Sequence, residues 1–143
     1  MRVEAILAAK GRDVTTVEAA STIADVVRTL AEKSIGAVVV TDGHGGVAGI
    51  ITERDVVRAL ASRGAEALAA LVSELMTREV VTAHADDKID DVSERMTRGK
   101  FRHVPVMAGD RLVGMVSIGD VVKHRIESIE AEASAMRDYI ATA

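Results

Sequence analysis

The sequence predicts a mixed α/β (α+β) fold: two copies of one β-α-β-β-α unit packed sheet to sheet, with a long helix appended at the C-terminus. Three observations carry this. The chain duplicates itself internally, and each copy runs through apolar segments of strand and helix period in the same order. Glycine and proline are absent from residues 120–143, where a helical pattern continues.

The duplication sets residues 13–60 over 79–125, at an offset of 66 that becomes 65 after a one-residue deletion in the turn Asp42–Gly46. Thr16 meets Thr82, Ile23 meets Ile89, Val38 and Val40 meet Val104 and Val106, and Gly49 meets Gly114. Each copy opens on a short extended segment, 14–17 or 80–83, followed by a helix N-cap, Ser21 or Asp87. Apolar residues at Ile23, Val26, Val27 and Leu30, and at Ile89, Val92 and Met96, then form one buried helical face. The β-branched runs "AVVV" and "HVPV" read as buried strands, and "VAGII" and "LVGMV" return as hairpin partners across glycine-containing turns. A second helix closes each unit. The organisation is therefore 1–63 for the first repeat with its lead-in, 64–76 for a helical bridge, 77–125 for the second repeat, and 126–143 for the helix extension.

Composition narrows the function. With 143 residues, 48% hydrophobic and 28% charged, the chain suits one soluble globular body. It has no cysteine, which excludes disulfides, thiolate metal sites and thiol redox chemistry. A net charge of −4 and a single Phe and Tyr without Trp argue against nucleic-acid partners, which want a basic face or stacking platforms. No apolar run is long enough to span a bilayer, and the N-terminus lacks the apolar core of a signal peptide, so a cytoplasmic protein without a membrane partner is expected. His44, His84 and His124 share no ligand spacing, and no metal site is expected. Ser117 and His103 suggest a hydrolytic pair, but no third residue is supplied to orient the base, and catalysis is not expected.

The chemistry concentrates in one recurring pattern. "GIITERDVV" (49–57) and "GMVSIGDVV" (114–122) both place a hydroxyl and an aspartate three residues apart where a strand runs into a helix. One reading is a helix cap, although the capping box favours Glu or Gln at the third position, whose longer arm reaches back to the cap N–H. The other is a ligand site: a hydroxyl at a helix N-terminus suits an anion, and an aspartate suits a sugar diol. Together these match the polar outline of a nucleotide. Pro105 falls inside an expected strand, which places it at an edge or beside a cleft.

These residues, with "SIGAVVVTD", "FRHVPVMAGDRLVG" and "VSELMTREVVTA", resemble a tandem pair of cystathionine-β-synthase (CBS) domains, the arrangement called a Bateman module; the match runs from about residue 5 to 125. The resemblance implies two pseudo-twofold-related units with adenosine-nucleotide sites in the clefts between them, dimerisation into a disc, and a regulatory, non-catalytic role. Its ligands are AMP, ADP, ATP, NAD or S-adenosylmethionine, with AMP the first choice here. Carried over by position, Asp55 and Asp120 hold ribose hydroxyls, and Thr52 and Ser117 face phosphate or ribose oxygens. Ile35, Gly36 and Ala37 in the first copy, and Phe101, Arg102 and His103 in the second, match the segment lining adenine or phosphate. Thr77 and Val81 match the segment that closes over the base, with Lys10 to Thr16 as the looser counterpart. Lys100, Arg102 and His103 form a cation cluster in the second copy, whereas the first has Arg54 beside a neutral "SIGA".

Val122, Ile126, Ile129, Ala133, Met136 and Ile140 step by 4, 3, 4, 3 and 4, the spacing of a heptad seam. The tail helix is thus expected either to lie on its own domain or to pack across a homodimer interface, the second being favoured. The leading expectation is a homodimeric nucleotide sensor acting on an unidentified partner protein. A dimerisation scaffold with vestigial clefts is the alternative.

Overall fold

The computed structural model describes residues 1–142. In chain order it contains α1 (Val3–Lys10), β1 (Thr16–Glu18), α2 (Ile23–Lys33), β2 (Ala37–Thr41), β3 (Val47–Thr52) and α3 (Glu53–Arg63). A 3₁₀ segment, Gly64–Ala69, and the one-turn α4 (Val72–Leu75) form the bridge. The second repeat supplies α5 (Ile89–Gly99), β4 (His103–Ala108), β5 (Arg111–Ser117) and α6 (Ile118–Thr142). The expected mixed α/β architecture is present, with one small sheet per repeat and the long C-terminal helix.

The duplication holds in fine detail. Ala37 pairs with Thr52 and His103 with Ser117, so both hairpins begin on the residue facing the hydroxyl. Both carry a register shift at the same place, Val40/Thr41 and Val106/Met107. Ser34 and Lys100, equivalent residues at the ends of α2 and α5, both adopt the left-handed conformation, at φ 53° and 58°. Each such turn ends the helix through a bond from the following amide, Ile35 N–H to Leu30 and Phe101 N–H to Met96.

The helix starts differ from the expectation. α2 is capped by Thr22, not Ser21: Thr22 and Asp25 form a reciprocal box, while the Ser21 carbonyl accepts the amide of Val72. α5 starts after Lys88 without a side-chain cap, because Asp87 instead accepts the His84 amide and the Arg95 guanidinium. Those two donors hold the Asp87 carboxyl below its ordinary range, the His84 amide being the stronger influence.

A hairpin with one helix cannot bury both sides of its apolar strands. Each repeat is completed by the segment preceding the other. Val3, Ile6 and Leu7 of α1 pack with Ile89, Val92, Met96, Val104 and Val106 of the second repeat. Val72 of α4, with Leu75 and Met76 against it, joins Ile23, Val26, Val38 and Ile51 of the first. Hydrogen bonds repeat the exchange: Val72 donates to Ser21 and Ile23 to Ala70, while Val3 donates to Asp87 and Ile89 to Met1. Val3-x-x-Ile6-Leu7 and Val72-x-x-Leu75-Met76 are thus a further pair of duplicated segments. Their close approach requires glycine: a Cβ on Gly49 would lie 2.8 Å from the Thr77 carbonyl oxygen, and one on Gly114 would lie 2.6 Å from Leu7.

Leu7 is 1% exposed although it lies more than seventy residues before its core partners in sequence. Leu7→Ala should therefore cost about 2–5 kcal/mol, as for a fully enclosed leucine. Urea unfolding checks this; an unchanged midpoint would mean that α1 does not contribute to the second core.

Candidate functional site

The Thr52/Asp55 and Ser117/Asp120 pairs both form complete capping boxes. Thr52 N–H donates to Asp55 Oδ2 at 2.9 Å and Asp55 N–H donates to Thr52 Oγ1 at 3.2 Å. Ser117 N–H reaches Asp120 Oδ2 at 2.9 Å and Asp120 N–H reaches Ser117 Oγ at 3.2 Å. The expectation that a capping box wants the longer arm of Glu or Gln is corrected: both aspartates reach the N-cap amide, as Asp25 does for Thr22 at the start of α2. Each box uses only Oδ2, which leaves the second carboxylate oxygen of each aspartate outside it. Each helix's first amide is met by the residue just before the opposite hairpin strand, Glu53 N–H to the Gly36 carbonyl and Ile118 N–H to that of Arg102.

A cavity of about 460 Å³ opens beside the first pair, and both repeats line it. The first repeat contributes Gly36, Thr52, Arg54 and Asp55; the second contributes Thr77, Val81, Lys100, Phe101, Arg102 and His103. The cation cluster expected to serve the second copy therefore faces the first copy's aspartate. Arg54 Nη1 donates to the Lys100 carbonyl at 3.0 Å, a bond that the left-handed turn at Lys100 makes available. Glu53, Arg58, Glu79, Val80 and Ile50 also line the cavity, and sequence reasoning missed them. Arg58 was findable, one helical turn beyond Arg54.

Two local differences set the clefts apart. Lys10 crosses the second one, donating to Asp120 Oδ2 at 2.8 Å and to the Met115 carbonyl at 3.0 Å. Burial pushes the Asp120 carboxyl upward, but the Lys10 hydrogen bond, the Ser117 amide and the Lys10 charge outweigh it and hold it below the usual range. With α1 superposed on α4 by the duplication, the equivalent of Lys10 is Glu79. An acid cannot pair with Asp55, and Glu79 instead lines the open cavity.

Pro105 is the second difference. Its equivalent, Val39, donates its amide to Thr15 at 3.1 Å and so helps hold β1 along β2. Pro105 has no amide to donate. The segment 80–83, expected as a strand, is accordingly reduced to one bridge, Ala83 to Val106, where Ala83 donates to the Pro105 carbonyl. Val80 and Val81, released from the ladder, turn to the cavity.

His103 sits between the clefts, its ring against Gly36. Burial pushes its pKa below the ordinary 6.5, with Glu53 and Asp120 opposing and Lys10 and Arg102 reinforcing that effect. The remaining expected residues lie apart: Thr16 begins β1, Ile35 packs on the first core, Ala37 is buried at the start of β2, and Pro105 is buried in β4. A shallower cavity of about 570 Å³ lies at the hairpin tips, lined by His44, Arg78 and His84 among others. Among the described residues no three His, Asp or Glu converge to hold a metal, and no helix is long and apolar enough to cross a membrane.

The family model "CBS domain" matches the chain twice, over residues 7–62 and 72–127. The chain is similar to a CBS-domain containing protein from Agrobacterium tumefaciens at 50% identity and TM-score 0.85, covering 87% of this chain and 99% of that one. A CBS domain protein from Pyrobaculum aerophilum, solved in complex with AMP, matches at 28% identity and TM-score 0.75 over 84% of this chain and 89% of that one. A CBS domain pair solved with 5′-methylthioadenosine and S-adenosyl-L-methionine matches at 29% identity and TM-score 0.80 over 90% and 98%. A mitochondrial CBS domain-containing protein from Arabidopsis thaliana is 33% identical over 123 residues, 83% of this chain; the chain spans 60% of that relative's length.

Pro105→Val restores the missing donor and should lengthen the β4 ladder toward Thr82 and Val81. Hydrogen exchange at Val106 and its neighbours reports general stability, so the deciding readout is the new amide that the substitution introduces at position 105. Slow exchange there is expected, and free exchange would mean that proline does not hold the segment off the sheet.

Proposed function

The chain belongs to the CBS-domain family, and we propose that it is a regulatory module, without catalysis of its own, that binds an adenine nucleotide in its first cleft. One observation carries this: a cavity of about 460 Å³ joins an aspartate with one uncommitted oxygen to a group of four cations, Arg54, Arg58, Lys100 and Arg102. In this reading Asp55 Oδ1 accepts the ribose diol, the cations meet phosphate, and the adenine lies on Ile50, Val80 and Val81. The AMP and S-adenosyl-L-methionine complexes of similar pairs support the ligand class. The cation group favours AMP or a more highly phosphorylated nucleotide over the positively charged sulfonium. Ligand spanning both repeats biases their relative packing by its differential affinity for the two arrangements, which would be read by a partner protein. The reading includes a homodimer and a cytoplasmic setting.

Calorimetric titration of AMP, ATP, NAD and S-adenosylmethionine tests it. One nucleotide should bind per chain. Asp55→Asn keeps a capping oxygen but removes the charge, and should weaken binding about tenfold or more; Asp120→Asn should leave it unchanged. Binding no tighter than millimolar for all four ligands would overturn the reading in favour of a scaffold with vestigial clefts.

Lys10→Met removes the cation crossing the second cleft. A second, weaker binding event is expected; a stoichiometry that stays at one would show that Lys10 is not what closes that cleft.

His103 provides a pH test. The free protein holds it below 6.5, and a bound phosphate raises it. Binding then takes up protons in the interval between the free and bound values, so affinity rises as pH falls through the bound value. Without ligand the sign is set by the unfolded chain, which protonates first: stability should fall as pH drops from 6.5 toward the folded value. His103→Gln should remove this proton uptake and leave only the opposite dependence of the nucleotide phosphate, whose second ionisation lies at about pH 6 and whose protonation weakens binding.

A further inference from the structure

We propose that α6 pairs with α6 of a second copy as a parallel two-stranded coiled coil. The inference deepens the homodimer in the preceding reading and is independent of its ligand. Beyond the turn anchored by the Arg125–Asp90 ion pair at 2.8 Å, every described residue of α6 from Ile129 onward is exposed. The apolar stripe does not lie on its own domain: Ile129 is 58% exposed, Met136 61% and Ile140 67%. A narrow seam kept at heptad spacing along a solvent-facing helix needs a matching seam.

The charges beside the seam choose the occupant and its direction. With Ile126, Ala133 and Ile140 at heptad position a, and Val122, Ile129 and Met136 at d, position g holds Arg125 and Glu132 and position e holds Lys123, Glu130 and Arg137. In a parallel pair each g residue faces the e residue five places on in the other helix. Arg125 then faces Glu130 and Glu132 faces Arg137, opposite charges in both cases, and twofold symmetry doubles each pair. Arg125 bonds Asp90 through Nη2 alone, so its planar fork keeps other donors for Glu130. An antiparallel pair that stacks the same apolar residues sets Lys123 against Arg137 and places Glu130 and Glu132 each against its own copy. All of these contacts repel. A parallel pair carries both cleft-bearing bodies at one end of the coil.

The chain contains no cysteine, so one introduced thiol is a clean probe in the full-length protein. Under mild oxidation Ile140→Cys should give a disulfide-linked dimer, because parallel helices bring the same level of both copies together. In an antiparallel pair the two thiols lie about 27 Å apart along the axis and stay reduced, whereas a mixture of Val122→Cys and Ile140→Cys chains cross-links. Sedimentation of charge variants gives an independent readout without touching the seam. Arg137→Glu should weaken the dimer about tenfold, and adding Glu132→Arg should restore it to within about threefold. Strengthening by Arg137→Glu alone, or cross-linking only in the mixture, would overturn the parallel pairing and leave the homodimer standing. A monomer at all concentrations would overturn both, whatever the calorimetry shows for nucleotide.

Discussion

Everything in this molecule depends on the exchange of lead-in segments between the repeats. Neither hairpin-and-helix unit has enough apolar surface of its own to close its core. α1 supplies Val3 and Leu7 to the second repeat, and α4 supplies Val72 to the first. The two halves are therefore not beads on a string, because the last turn of each lead-in must end beside the partner repeat. Thr77 is fastened to Ile50 of the first sheet by two hydrogen bonds of 2.8 and 2.9 Å, and Gly49 has no side chain so that this approach is possible. The cleft lies where these crossing segments run on into their own strands, which is why both repeats line it.

A near-symmetric scaffold then yields two unlike clefts through two substitutions of elementary chemistry. Lys10 places an ammonium on Asp120, and Glu79 places a carboxylate in the lining of the open cavity. Val39 contributes an amide that Pro105 lacks, so the strand that forms in the first repeat shrinks to a single bridge in the second. Lys10 and Glu79 lie outside the apolar core, and a buried apolar side chain stands at both 39 and 105, which is why the duplication of fold persists while the surroundings of the two aspartates differ. His103, its pKa lowered by burial between the clefts, faces charged groups from both sides.

Much of this was legible in the residues. The repeat, its element order, both hairpins and the long C-terminal helix follow from periodicity, since burial on one face imposes a spacing that any reader of the chain can recover. The hydroxyl–aspartate pairs were visible because they recur. Their geometry was not: aspartate closes both boxes, as Asp25 does for Thr22 at the start of α2, so an aspartate three residues after a hydroxyl does not by itself tell a ligand site from a cap. The caps of α2 and α5 differ from the expectation by one residue: Thr22 closes the α2 box with Asp25, and the Asp87 carboxylate takes the His84 amide and the Arg95 guanidinium instead of capping α5.

The two-repeat fold, the polar pairs at the strand–helix junctions and the seam along α6 can be read from the residues alone, because each is a local pattern that recurs at fixed spacing along the chain. Which residues share a cleft is set by packing across the repeats. Lys100, Phe101, Arg102 and His103 belong to one repeat by position and to the other's aspartate by geometry. Lys10 meets Asp120 across 110 residues. Such meetings depend on how one core borrows a segment from the other half, and that information is carried by packing, not by spacing along the chain.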